Sequence, residues 1–162
     1  TFVLTVMFDL VVAIEVGMVL TAILFMKRMS EVTEVEGWKY VDDENDPDSI
    51  SLRQVPKHTV VYEISGPLFF GAADKILNIS LKEKDKVLIL RMRSVNALDA
   101  TAMHTLEQLY EKCKKNHMTL ILSHVNEQPM RTIKKAGFDK IVGEDNFCPH
   151  IDDALKRAED LQ

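Results

Sequence analysis

Lys86–Met92 reads KVLILRM and runs, through Arg93, into Ser94–Met103, SVNALDATAM. The first run is short, apolar and rich in Val, Ile and Leu, as a strand buried on both faces would be. The second opens a helical pattern. From Ala100 to Lys115, Met103, Leu106, Leu109, Tyr110 and Cys113 fall on one apolar stripe. A buried strand handing over to an amphipathic helix is half of a β-α-β unit, so the rest of the chain is read for its continuation.

The continuation is present. MTLILSHV (118–125) is a further strand, and EQPMRTIKKAG (127–137) a helix with Pro129 in its first turn and Gly137 as C-cap. Phe138–Val142 is expected to add a short edge strand, and a last helix, HIDDALKRAEDL, is expected after Pro149. Upstream, TVVYEIS (59–65) is a central strand by residue type. Gly66-Pro67 breaks it, and a helix is expected from about Ala72, with Ile76, Leu77 and Leu81 on one face. ISLRQV (50–55) alternates and is expected to form a hairpin with 59–65 across the Pro56-Lys57-His58 turn. Strands separated by helices imply parallel crossovers. The expected fold is therefore α/β, a mixed sheet of four or five strands with packed helices.

Ahead of this lies a different material. Residues 1–26, TFVLTVMFDLVVAIEVGMVLTAILFM, carry only Asp9 and Glu15 as charges. A hydrocarbon core of about 30 Å needs roughly 20 helical residues, so the run is long enough to span it. Lys27 and Arg28 follow the run, which puts its exit on the cytoplasmic side. A signal peptide would carry its charge in front. Asp9 and Glu15 point about 240° apart on a helix and do not form one pair. Asp9 is expected to cap a helix starting near Leu10. Glu15 falls mid-span, where a carboxylate facing lipid is costly, so it is a candidate intramembrane polar residue needing a partner or a cavity. That favours the last helix of a multi-span protein over a single anchor. The chain starts with Thr and is read as part of a longer protein.

The resulting division is a transmembrane helix at 1–29, an acidic linker at 30–49 and a cytoplasmic domain at 50–162. The linker, SEVTEVEGWKYVDDENDPDS, has Lys39 as its only base and lacks the spacing of a calcium loop. Trp38 and Tyr40 stand where they could meet the membrane interface or the following domain.

Sites are few. The net charge of −5 argues against nucleic acid as a partner. Cys113 and Cys148 make no CxxC pair, and the five histidines show no HxxxH or HExxH spacing. Neither a GxGxxG nor a Walker loop is present. No cofactor, metal or catalytic set is therefore expected, and the chain is not read as an enzyme. Two features stand out. Leu68-Phe69-Phe70 sits between Gly66-Pro67 and Gly71, either bridging two buried sides of a loop or forming a docking patch. Asp99 is a good N-cap for the helix at Ala100, and Thr101 in its first turn is a candidate regulatory hydroxyl, since a helix N-terminus tolerates a phosphate. From spacing alone, the structural cap is the favoured reading of that loop.

The whole then resembles a known family. FDLVVAIEVGMVLTAILFMKRM is similar to the last transmembrane segment of SulP-family, sulfate-permease-like anion transporters. VVYEISGPLFFGAADKI, the LDATAM loop, QPMRTIKKAGF and FCPHIDDAL resemble, in that order, their cytoplasmic STAS domain, which is shared with the anti-sigma-factor antagonists. The resemblance covers essentially all 162 residues. It implies a protein that exchanges or cotransports sulfate, bicarbonate or dicarboxylate. Such a protein would be multi-pass in the plasma or inner membrane, with the STAS domain regulating or assembling it from the cytoplasm. Its partners would be its own membrane domain and the bilayer. A homodimer, a regulatory protein and a nucleotide are left open. In the antagonist relatives a D-S-S-G-like motif is phosphorylated. Here Asp99-Ala100-Thr101-Ala102 puts Thr101 at the modified position and replaces the preceding Ser and the Gly by Ala. The alternative is a membrane-tethered partner-switching regulator of the antagonist type.

Overall fold

A computed structural model describes residues 10–37, 53–69 and 73–162. Helix α1 (Leu10–Val32) leads into strand β1 (Glu34–Gly37), followed by β2 (Thr59–Ser65), α2 (Ala73–Leu77), β3 (Val87–Ser94) and α3 (Ala100–Lys115). Then come β4 (Thr119–Ser123), α4 (Glu127–Ala136), α5 (Phe138–Val142), a 3-10 turn at Glu144–Asn146, β5 (Phe147–Cys148) and α6 (Ile151–Asp160). The five strands form one sheet in the order β1-β2-β3-β4-β5. β1 runs antiparallel to β2, and the other pairs are parallel. The fold is thus the α/β architecture with a five-stranded mixed sheet.

Alternation along the strands divides the core between two faces. Leu88, Leu90, Met92, Leu120 and Leu122 pack with Leu106 and Leu109 of α3, Ile133 of α4 and Phe138 of α5. Val61, Val87, Ile89 and Ile121 face the other way and pack with Ile151, Ala154, Leu155 and Ala158 of α6. Helices on both faces explain why β3 opens with the unbroken apolar run Val87–Leu90. The α3 stripe behaves as its spacing dictates: Met103, Leu106, Leu109 and Cys113 are buried. Tyr110 meets the ring of Phe138 edge-on, with centroids 5.9 Å apart.

Four expectations are corrected. The antiparallel neighbour of β2 is β1, taken from the stretch read as linker, with Glu34 opposite Ser65 and Gly37 opposite Tyr62. Residues 53–58 form no strand, and 50–52 lie outside the described residues. Phe138–Val142 is a helix rather than an edge strand, because Phe138 and Val142, four apart, both reach the core while Ile141 stays exposed. The edge is made instead by Phe147 and Cys148, in register with Leu122 and Ser123. The helix expected from Ala72 is only five residues long, and Lys112 closes its end by donating from Nζ to the carbonyls of Leu77 (2.8 Å) and Ile79 (3.2 Å). Gly137 caps α4 as expected, at φ 71°, a left-handed conformation that an L side chain strains to adopt.

Among the described residues, α1 is the one helix long and apolar enough to cross a bilayer, over Leu10–Arg28. Leu10, Val11, Ile14, Met18, Leu24 and Phe25 are exposed along it. The hydroxyl of Thr21 donates back to the carbonyl of Gly17 at 2.8 Å, which satisfies it without a partner outside the helix.

Candidate functional site

The C-terminal ends of the parallel strands place their following helices with N-termini toward one edge of the sheet, the edge where ligands of open α/β sheets gather. The SVNALDATAM stretch lies there. Asp99 takes an extended backbone conformation, and its Oδ1 accepts the N–H of Ala102 at 2.7 Å. Met103 N–H reaches the Asp99 carbonyl at 3.0 Å, so the first turn is closed by the residue that the sequence marked for it. Thr101 stands exposed in that turn, and its carbonyl accepts from Thr105 Oγ1 at 3.1 Å. The hydroxyl is therefore accessible beside the positive end of a sixteen-residue helix.

The loop before Asp99 is held by residues that sequence reading passed over. Asn126 is the N-cap residue of α4, yet its side chain makes no bond to its own helix. Its Nδ2 donates instead to the carbonyls of Arg93 (2.9 Å) and Val95 (2.7 Å). Gln128 brackets Leu98, accepting its N–H at 2.9 Å and donating to its carbonyl at 3.3 Å. An Asn and a Gln at a helix start were the available signal, and their partners lie some thirty residues away.

A second polar feature crosses the opposite face. Glu63 and Arg91 are neighbours in register, both buried, and joined at 2.9 Å through Arg91 Nη1 and Glu63 Oε2. Arg93 adds a longer contact to Glu63 at 3.8 Å. Arg91 is in register with Ser123, which is also buried. The signal was Glu63 set inside the apolar part of β2 and Arg91 inside that of β3. Nearby, Arg53 grips Asp152 in the first turn of α6 with both nitrogens, Nε to Oδ1 at 2.5 Å and Nη2 to Oδ2 at 2.9 Å. That hydrogen-bonded guanidinium holds the Asp152 carboxyl below the usual range.

The other singled-out residues are dispersed. Leu68 is fully buried and bridges to Leu98, so it belongs to the core and not to a docking patch. Phe69 is half-buried, and Phe70 lies outside the described residues. Glu15 is exposed on α1, while Asp9, Trp38, Tyr40 and residues 41–49 fall outside the described residues. His58, His117 and His124 occupy left-handed positions at turns and a strand end, with φ 58°, 54° and 54°. His124 meets His150 ring to ring at 5.0 Å. Burial pushes the Cys113 thiol up to about 11, and burial chiefly, with Asp153 adding, raises Cys148. No group of three His, Cys, Asp or Glu among the described residues could hold a metal ion. An open groove of about 680 Å³ lies between α3 and α5, lined in part by Tyr110, Phe138 and Ile141. The site at the sheet edge is thus a surface with an accessible hydroxyl, ordered by side-chain straps, rather than a pocket.

The chain is similar to known proteins over most of its length. Residues 49–154 match the model of the STAS domain family. YvdB of Bacillus subtilis, named provisionally as a sulfate transporter, is 32% identical over 156 residues, which cover 94% of this chain and 28% of that protein. A crystal structure of a sulfate transporter family protein from Wolinella succinogenes is 41% identical, covers 72% of this chain and 98% of that one, and superposes with a TM-score of 0.68. The STAS domain of a SulP transporter from Vibrio cholerae is 33% identical over 66% of this chain and 85% of that one, with a TM-score of 0.58. The chain therefore spans little more than a quarter of its curated relative's length.

Proposed function

The chain belongs to the STAS domain family, in the form carried by SulP-type anion transporters, and from that premise we propose that it is the C-terminal part of a secondary anion transporter of the sulfate, bicarbonate or dicarboxylate class. In this reading α1 is the last transmembrane helix. The chain leaves the membrane behind Lys27-Arg28, and β1 with the strands and helices from Thr59 onward forms a cytoplasmic domain that regulates or assembles the transporter. One observation carries the reading. An exposed apolar helix of spanning length runs, through a single residue, into the edge strand of the STAS sheet. The basic pair Lys27-Arg28 behind the span supports a cytoplasmic exit. The polytopic membrane domain, its substrate site and Glu15 as a polar residue within it belong to the same proposal. So does Thr101 as the regulatory hydroxyl, on the strength of its exposure in a capped first turn. With Leu68 in the core, Phe69, half-buried beside it, and Phe70 stay the docking contacts of that loop in this proposal.

The test is anion uptake by the full-length protein in reconstituted vesicles. Wild type is compared with Thr101→Ala, Thr101→Glu and a chain ending at Arg28. Uptake of sulfate, bicarbonate or a dicarboxylate that Thr101→Glu alone alters supports a regulatory loop. Uptake that both Thr101 variants leave intact, and that truncation impairs, makes the domain an assembly element. Absence of uptake for all three anion classes sinks the transporter reading in favour of a membrane-tethered partner-switching regulator.

A further inference from the structure

The candidate site and the apolar helix meet through one buried hydroxyl. Thr33 is the residue between the end of α1 and the start of β1, and it is fully buried. Its Oγ1 donates to the carbonyl of Pro67 at 2.6 Å, and its own carbonyl accepts from Nζ of Lys75. Both partners belong to the stretch from the end of β2 into α2. That stretch runs parallel to the approach to α3. Gly66 N–H donates to the carbonyl of Ser94 (3.3 Å), Leu68 N–H to Ala97 (2.8 Å), and Asp99 N–H returns to the carbonyl of Leu68 (3.1 Å). Asp99 then caps the turn that holds Thr101. Every step from Thr33 to the first turn of α3 is a hydrogen bond or a single covalent link, and Leu68, in the middle, is locked in the core.

We propose that Thr33 is the joint coupling α1 to the first turn of α3. A change at Thr101 shifts the Leu68–Asp99 strap, and the strap shifts the hold on Thr33 at the root of the helix. Thr33 and Lys75 are positioning residues, since Thr33 acts through Pro67 and Leu68 and Lys75 acts through Thr33. The coupling must run both ways, because linkage is reciprocal. A continuous path of contacts alone is associational, so the claim stands on a measured coupling between the two ends. The proposal rests on the regulatory reading of the domain, and its test is built to separate the two.

The measurement is amide hydrogen exchange on the full-length protein in bilayer discs. Wild type is compared with Thr33→Val, Thr33→Ser, Thr101→Glu and the Thr33→Val/Thr101→Glu double variant. Thr33→Val keeps the branched shape and removes the donor, leaving the Pro67 carbonyl short of its partner. Exchange at the Leu68 and Asp99 amides is expected to rise about 3- to 10-fold, as for the loss of one hydrogen bond. The amides of α6, on the other face of the sheet, should stay unchanged, and Thr33→Ser should stay close to wild type. Thr101→Glu is expected to change exchange at residues 34–37 when Thr33 is present and not when it is replaced by Val. The proposal is overturned by unchanged exchange at Leu68 and Asp99 in Thr33→Val. An equal rise in α6, which would mean global loosening, also overturns it. So does a Thr101→Glu effect at 34–37 that is absent from the start or survives Thr33→Val. Uptake by the same variants separates the two ideas. Coupling seen in exchange with uptake indifferent to every Thr101 and truncation variant removes the regulatory reading and leaves the joint. Uptake that responds to Thr101→Glu equally with and without Thr33 removes the joint and leaves the reading.

Discussion

Asp99 and Thr101 are two residues apart and answer to different physics. Asp99 faces inward on its helix and supplies the acceptor that the Ala102 N–H needs, so Asp99→Ala should cost about 0.5–2 kcal/mol of stability in a urea titration of the domain. Thr101 faces solvent, and its side chain can change with little effect on that titration. The Glu63–Arg91 pair reverses the pattern, since both side chains are buried. Breaking it with Arg91→Met leaves the buried Glu63 carboxylate only the longer Arg93 contact and should cost up to about 3–5 kcal/mol, whereas the Glu63→Leu/Arg91→Met double variant should recover most of that loss. A double variant no more stable than Arg91→Met alone would mean that the pair is not the unit of stability. Asp99 was legible in the sequence because a helix cap is a local device, readable from an acidic residue ahead of an apolar stripe. The Asn126 and Gln128 straps were not, because each ties loops far apart in sequence, and spacing carries no trace of such a partner. For Leu68 the sequence left burial and a docking patch both open, and the choice falls to burial through its bridge to Leu98, a partner thirty residues away.

At the scale of elements, β2, β3, β4, α3 and α4 announced themselves because patterning and packing agree there. The edge strand β1 did not. EVEG offers the core one apolar side chain, Val35, and becomes a strand only by pairing with β2. That makes β1 a protective edge. A fragment beginning at Ile50 leaves the β2 edge unpaired, and unpaired edges template association. Sedimentation should find that fragment self-associating, and one beginning at Thr33 monomeric. Equal behaviour would show that the edge is covered in some other way. The closing helix α6, packed on the sheet through Ile151, Ala154, Leu155 and Ala158, is tied in addition by Arg53 on Asp152. A carboxyl whose folded pKa is depressed adds stability above its unfolded value near 3.8 and loses it as pH falls through the folded value. The stability gap between wild type and Arg53→Met should therefore be present at neutral pH and close on acidification below about pH 4, and because Asp152 is largely exposed the gap should be small and salt-sensitive.

The whole molecule joins two materials that fold under different rules. The α/β domain buries its apolar surface against itself on both faces of one sheet. Helix α1 keeps its own apolar surface outside, with Leu10, Met18, Leu24 and Phe25 more than half exposed. A helix that buries almost nothing against the domain contributes almost nothing to the domain's cohesion, since apolar stabilisation follows the area removed from water. Its apolar side chains need another environment, which a bilayer supplies. Removing residues 1–28 should therefore leave the melting temperature of the remainder close to that of the longer chain in detergent. One kcal/mol would move it by about 3–4 °C in a domain of this size, so a shift within about 1 °C means that the core owes α1 little. The same cut should abolish partition into vesicles. A fall of many degrees would show instead that α1 packs on the sheet as a core helix, and the spanning reading would go with it. Thr33 survives the cut, and its bonds to Pro67 and Lys75 remain. The loss of α1 with the joint intact therefore isolates what the helix itself contributes from what its attachment does.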